Sequence, residues 1–414
     1  MAANARKSVI VTFKPKDHRP DKQVDKLEIV KDVLAKDAKA AFFNATTLAS
    51  GTARPYLSDE MVAGYDCNLY EAPIVTADLT DSEIGALKKN PNVLAVEDDA
   101  PCYALGGPLD HLVIENQPSV QAETVPAGVA QIKAPPAWDA SRGKGIRVAV
   151  LDTGIDGAHP DLSPNYHGGV SFVPTETTPQ DLHGHGTHCA GTIGAAINGS
   201  GVVGVAPAAY LYAVKVLSRT GAGQFSWIIA GIDWCISNRM HIISMSLGGG
   251  SAPVALQTIC NTAWNRGLLL VAAAGNSGPP SSPTGSTVGF PAKYKNVIAV
   301  SAIDSSNVIA SFSSGGTEVD LCAPGVNVLS TAPGGGFATM SGTSMACPHV
   351  AGAAVLTWGA HRFSNNETIW NLLAATSDNL GSPGWDPLYG YGRVDADQAS
   401  VELVPPPVIP KRGI

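Results

Sequence analysis

No apolar run in this chain approaches the roughly 18 residues that a bilayer-spanning helix requires, so no segment of it reads as a membrane helix. The longest candidate, Leu268 to Ala274, reads as a buried parallel strand. Charge is also scarce. Charged residues make up 15% of the chain, and 27 Lys and Arg against 35 Asp and Glu leave a net charge of −8. That argues against nucleic acid, which needs a basic patch. The stretch Met1-Ala2-Ala3-Asn4-Ala5-Arg6-Lys7 lacks the apolar core of a secretory signal. Two readings follow: a leader is missing from this chain, or the protein stays inside the cell. No internal repeat is visible. The seven cysteines are an odd number, so pairing cannot account for all of them. Cys235 and Cys260 fall on two helical patterns and are open to pairing. Cys189 and Cys347 read as small buried apolar side chains rather than reactive thiols.

What is present suits a compact protein with many turns: 44% hydrophobic residues, 44 Gly and 30 Pro in 414 residues. That length fits one large domain and a smaller one. Residues 8–105 read as the small unit. Val9 to Phe13 is β-rich, and apolar residues at Val24, Leu27, Val30, Val33 and Leu34 recur at helical spacing within Asp21–Phe43. A looser stretch with Gly51, Pro55 and Gly64 follows. Ile74 to Ala77 reads as a strand, Thr80-Asp81-Ser82-Glu83 as a capping box opening a helix, and Val93 to Glu97 as a strand. Residues 106–121 form a linker without periodicity. From Gly145 onwards strands and helices alternate, which predicts an α/β fold with a mostly parallel sheet covered on both faces. Residues 401–414, with Pro405, Pro406, Pro407 and Pro410, read as a stiff exposed tail.

Three short segments carry the chemistry. They are Val150-Leu151-Asp152-Thr153-Gly154, His185-Gly186-Thr187-His188-Cys189-Ala190-Gly191 and Ser341-Gly342-Thr343-Ser344-Met345-Ala346-Cys347-Pro348-His349. A hydroxyl is a weak nucleophile at neutral pH unless an imidazole takes its proton and a carboxylate orients that imidazole. Each segment offers one of these groups among small neighbours. Any of His183, His185 and His188 could serve as the base on chemistry alone. Asp152 ends a run of apolar strand residues, and Ser344 stands where a Gly-rich turn meets a helix, beside free N–H groups. Pro348 is expected in that helix's first turn.

In this order the segments resemble the subtilisin-like serine endopeptidases, the subtilase family. Ala272 to Gly278, Ser244 to Gly249, Val202 to Pro207 and Tyr212 to Leu217 match further family segments, and the likeness runs from about Ala122 to Ser400. It implies a subtilisin-like fold and peptide hydrolysis through an acyl-enzyme. Ser344 would be the nucleophile, His185 the base, Asp152 its orienting carboxylate and Asn276 an oxyanion donor. Ser246, Leu247 and Gly248 would bind an extended substrate as an added strand. Gly248 and Gly289 would line a primary pocket with room for a large apolar side chain. The catalytic domain is expected over 122–400. Residues 8–105 resemble the family's propeptide, a ferredoxin-like chaperone and intramolecular inhibitor. Asp161 matches a calcium ligand, with Glu123, Asn198 and Val202 at companion positions, though that loop is one residue short. Substrates would be proteins or peptides, with no nucleic acid or membrane partner, and the chain a monomer. The expected compartment is extracellular, with the cytoplasm as the alternative. A second reading, a catalytically silent peptide-binding protein on the same fold, is disfavoured by the intact Asp152, His185, Ser344 and Asn276.

Overall fold

The computed structural model describes residues 5–15, 25–34, 39–45, 61–67, 69, 71–105, 122–282 and 284–402. The expected linker at 106–121 and most of the Pro-rich tail lie outside them. The amino-terminal unit runs β1 (Lys7–Phe13), α1 (Lys26–Val33), β2 (Lys39–Phe43), β3 (Met61–Asp66), β4 (Ile74–Leu79), α2 (Asp81–Lys89) and β5 (Val93–Asp98). Its sheet has the order β2-β3-β4-β1-β5. Without β2, which adds in parallel at the edge, this is the ferredoxin-like arrangement. Thr80 and Glu83 form the reciprocal capping box at the start of α2.

Two elements of this unit differ from expectation. The helical spacing over Asp21–Phe43 describes only α1, and residues 39–43 form β2. Residues 61–66, within the stretch that reads as loose, form β3. Phe42 and Phe43 pair with Gly64 and Tyr65, and a side chain at Gly64 would come within 2.6 Å of the Phe42 ring. The missing side chain is what lets the Phe42 ring lie against that strand.

After the short strand β6 (Pro101–Ala104), the carboxyl-terminal unit opens with α3 (Ala127–Gln131), α4 (Ala134–Ala137), β7 (Arg147–Asp152), β8 (Tyr166–Ser171), α5 (His185–Gly194), β9 (Tyr210–Lys215) and β10 (Ala222–Gln224). It continues through α6 (Phe225–Ser237), β11 (Ile242–Met245), β12 (Leu247–Gly248), α7 (Val254–Asn265), β13 (Leu269–Ala273), β14 (Ile298–Ile303) and β15 (Val319–Pro324). A hairpin of β16 (Val328–Ala332) and β17 (Gly336–Met340) precedes α8 (Thr343–Ala360), α9 (Asn366–Ala375) and α10 (Ala396–Val401). Seven strands form one sheet in the order β15-β14-β13-β11-β7-β9-β8, and every pairing in it is parallel. Both faces are buried. Val148 and Val150 point into the cluster that holds α5 and α8, while Ala149 and Leu151 point into the one that holds α6 and α7. Burial on both sides explains why these strands read as near-continuous apolar runs.

The central helix α8 is buried along nearly its whole length. It begins at Thr343, so Pro348 lies inside the helix and not in its first turn. Proline has no N–H, and the carbonyl four residues earlier loses its partner. That carbonyl belongs to Ser344. The Ser246 hydroxyl donates to it at 2.8 Å, and the Cys189 thiol approaches it at 3.6 Å.

The two units share a core, since Ile10, Phe43, Tyr65, Cys67 and Ile74 join the α6–α7 cluster. Two carboxylates of the amino-terminal unit also cap those helices, which have no side-chain cap of their own. Glu97 accepts from the N–H groups of Val254 and Ala255 at 2.8 and 3.2 Å, and Asp99 from that of Ser226 at 2.9 Å. Each such cap is worth about 0.5–2 kcal/mol.

Among the described residues no helix is long and apolar enough to cross a membrane. All seven cysteines are buried free thiols, Cys235 and Cys260 included. A thiol reagent should therefore find almost none in the native protein and seven after denaturation without reductant. A count of five would instead mean one disulfide.

Candidate active site

Asp152 is the last residue of β7 and His185 the first of α5, and both are buried. His185 Nδ1 lies 2.8 and 3.0 Å from the two Asp152 carboxylate oxygens. Nδ1–H therefore donates, and the Nε2 lone pair is left free to accept a proton. Two glycines permit this approach. A side chain at Gly186 would stand 2.1 Å from the Gly154 carbonyl and 3.1 Å from Asp152 Cβ. Gly154 itself has φ of +110°, which L side chains rarely adopt. Burial opposes protonation of His185, but the Asp152 carboxylate outweighs it and holds the imidazole pKa well above its usual value.

Of the rival imidazoles, His188 is buried with Nε2 on the Val328 and Ala338 carbonyls, and burial pushes its pKa down to about 3. His183 lies in the preceding loop, its Nδ1 accepting from the His185 N–H at 3.3 Å. The Cys189 thiol sits 4.0 Å from His185 Nδ1, and burial pushes its pKa up. It is a packed thiol, not a thiolate.

Ser344 lies in the first turn of α8, where backbone N–H groups lack helical partners. Its hydroxyl donates to the Ser246 carbonyl at 3.0 Å, and His185 Nε2 has no hydrogen-bond partner. Asn276 has its orientation fixed. The Thr343 N–H and hydroxyl both donate to Asn276 Oδ1, at 3.0 and 2.9 Å, so Nδ2 faces outward. It donates to the Leu105 carbonyl at 2.5 Å.

Leu105 follows β6, and β6 is the middle strand of a three-stranded antiparallel sheet, β10-β6-β12. Leu247 pairs with Ala104 and Gly248 with Tyr103. The Leu105 N–H donates to the Ser246 carbonyl at 3.2 Å. Leu105 Cδ1 would be 3.0 Å from a side chain at Gly248, so glycine there makes room for it. Gly289 stands on the same wall, bonded to Ala274, with the place of its missing side chain 3.3 Å from the Gly249 carbonyl. The other wall of the cleft was not foreseen. It is β10, which pairs with residues 101–103, while Gly221 accepts from the Ala104 N–H. A three-residue strand that acts through its backbone leaves almost no trace in side-chain pattern. Asp181 and Lys215, which hold the turn after Asp152, were also not foreseen.

The sequence that builds this sheet, its Asp–His pair and its serine-headed helix matches known proteins over most of its length. A model of the subtilase family matches residues 143–392. Subtilisin E of Bacillus subtilis is 48% identical over 326 residues, covering 78% of this chain and 80% of that protein. Subtilisin of Bacillus pumilus is 52% identical over 281 residues, 67% of this chain and 100% of that protein. An alkaline protease of Shouchella clausii is 44% identical over 329 residues, 79% of each. The chain belongs to the subtilase family. It is a serine endopeptidase.

The four residues of the expected calcium site do come together, but as a hydrogen-bonded joint. Asp161 Oδ2 accepts from the Val202 N–H at 2.8 Å and Oδ1 from the Asn198 side-chain amide at 3.0 Å. Glu123 Oε1 accepts from the N–H groups of Asn198 and Gly199 at 2.7 and 2.9 Å. The 198–202 loop rests directly on the carboxylate: a side chain at Gly201 would lie 2.1 Å from Asp161 Oδ2. A calcium ion needs six or more oxygen ligands turned toward one point. Here both Asp161 oxygens and Glu123 Oε1 face N–H donors, so this donor set, as folded, does not fit a cation. The melting temperature of chelator-treated protein should be unchanged by calcium, and Asp161→Ala should lower it equally with and without the ion. A rise with calcium that Asp161→Ala removes would contradict this arrangement.

Proposed function

We propose that this endopeptidase is made as a zymogen whose residues 8–105 inhibit it by lying in its own cleft. In this reading it cuts after large apolar residues through a Ser344 acyl-enzyme. One observation carries the reading. The Leu105 carbonyl receives the Asn276 amide while its chain runs as the middle strand of the cleft sheet. A substrate strand would bind the same way, mainly through backbone, which favours broad specificity. Leu105 against Gly248 gives the apolar preference before the scissile bond.

In the reaction the Ser344 hydroxyl turns from the Ser246 carbonyl toward His185 Nε2 and attacks the carbonyl carbon, and its proton passes to Nε2. Asp152 keeps the imidazole in the productive tautomer and stabilises the cation that forms. The developing oxyanion takes the Asn276 amide and the free N–H at the head of α8. His185 then protonates the leaving amine, and water repeats the sequence on the acyl-enzyme. Ser344→Ala and His185→Ala should abolish hydrolysis and self-processing while leaving the fold intact. Asn276→Leu should lower kcat by about 100- to 1,000-fold, the loss that one oxyanion donor carries in a subtilisin itself. Hydrolysis by purified Ser344→Ala protein would contradict the assignment.

The carboxylate caps on α6 and α7 support a chaperone role, since residues 8–105 supply what those helices lack. The place of action we infer is extracellular, with the cytoplasm as the alternative, and fractionation of activity between medium and cells decides it. First cleavage should fall between Leu105 and Gly106, read by amino-terminal sequencing of early products, and the released segment should inhibit the matured enzyme. That inhibition should depend on pH. Tyr65 donates to Asp233 at 2.8 Å across the interface, and burial there pushes the Asp233 carboxyl up to about 6. Asp99 is raised by burial in the same direction. The docked state thus holds protons that free carboxylates, with pKa values near 4, release. Docking therefore weakens as pH rises from about 4 to 6 and levels off above. Inhibition should be tighter at pH 5 than at pH 7.5, and Asp233→Asn should flatten the difference. Inhibition that strengthens with pH, or a first cut elsewhere, would contradict the reading.

A further inference from the structure

We infer that Asp181 is a positioning residue that sets the contact between Asp152 and His185, acting through Thr153; this rests on the roles given to that pair above. Asp181 is 2% exposed and lies in the loop before α5. Its carboxylate accepts from five donors. Oδ1 takes the Thr153 hydroxyl and the N–H groups of His183 and Gly184, each at 2.9 Å. Oδ2 takes the Thr187 N–H at 2.9 Å and the Thr187 hydroxyl at 2.6 Å. The hydroxyl of Thr153 thus both donates and accepts, because it also accepts from the Gly186 N–H at 2.9 Å.

The consequence is a closed joint. Thr153 follows Asp152 directly and donates its own N–H to Asp152 Oδ1 at 2.7 Å. Gly186 follows His185 directly. The strand end that carries the carboxylate and the helix start that carries the imidazole are thus tied together one residue away from each. The Thr153 carbonyl is fixed as well, by the buried Lys215 ammonium, which Glu176 neutralises at 2.9 Å. First-turn N–H groups of a helix have no helical acceptors. In α5 those of Gly186 and Thr187 are met by Thr153 and Asp181. A carboxylate at that end also suits the helix dipole. Asp181 touches neither substrate nor reacting atoms. Its effect on rate runs entirely through where His185 stands.

The experiment compares matured Asp181→Asn, Thr153→Val and Thr153→Ser enzymes with the parent on a small chromogenic peptide. Asp181→Asn replaces an acceptor by an amide that faces donors, and Thr153→Val keeps shape but cuts the tie. Both should lose about 10- to 100-fold in kcat, as small misplacements of catalytic groups do, with KM within about twofold of the parent. The acid limb of kcat/KM should move to lower pH as the carboxylate's hold on the imidazole loosens. Thr153→Ser should restore both. If Asp181→Asn does not fold, the contrast between Thr153→Val and Thr153→Ser decides alone. Parent-like kcat and acid limb in Asp181→Asn or in Thr153→Val, whatever their melting temperatures, would overturn the proposal. Ser344→Ala runs alongside: activity in that variant would overturn the site assignment itself and not the positioning claim.

Discussion

The contact between His185 and Asp152 is the constraint around which the catalytic half is arranged. A carboxylate held at 0% exposure needs a partner, and an imidazole that must accept a proton needs a fixed tautomer. Each answers the other's need, but only if a strand end and a helix start come within bonding distance. Backbone bulk opposes that approach. Glycine at 154 and 186 removes the obstruction, and Thr153, Asp181 and Lys215 fix what the glycines leave free. The same logic recurs at Ser344. Pro348 leaves the Ser344 carbonyl without its helical donor, and the Ser246 hydroxyl supplies one from between β11 and β12. Ser344 and the segment between β11 and β12 are coupled by a bond that an uninterrupted helix would not need.

The cleft and the amino-terminal unit meet in a second set of complementary needs. A substrate-binding edge is an unpaired strand edge, and an unpaired edge is a liability. Strand β6 fills it from both sides, against β10 and β12. Two helices without caps of their own receive Glu97 and Asp99. The unit that carries β6 therefore also completes structure elsewhere, and in the proposed zymogen a single interface would serve both inhibition and folding.

Much of this was legible in the sequence because the motif residues answer to backbone geometry. The Asp-Thr-Gly and His-Gly-Thr-His segments, expected together from their chemistry and order, do meet, and glycine at 154 and 186 tolerates the approach. The parallel sheet was legible in runs such as Arg147–Asp152, since burial on both faces demands apolar residues throughout. What escaped acts through backbone or over distance. Strand β10 contributes N–H and C=O groups that any residue carries. Asp181 precedes His185 by four positions in a loop, and its one signal was a carboxylate shortly before a helix start. The helical spacing within Asp21–Phe43 ends at Leu34, and residues 39–43 pair with β3 as a strand. Pro348 was placed too early because helix starts are hard to fix from sequence. At Asp161 the expected residues do meet, with N–H groups of the 198–202 loop on the carboxylate oxygens.

The central claim is that Ser344, activated by His185, is the nucleophile of a working enzyme. The most direct measurement is covalent labelling of the matured protein with a serine-directed phosphonate, followed by digestion and mass spectrometry. One adduct is expected, on Ser344, abolished in His185→Ala. No adduct, or one on another serine, would contradict it.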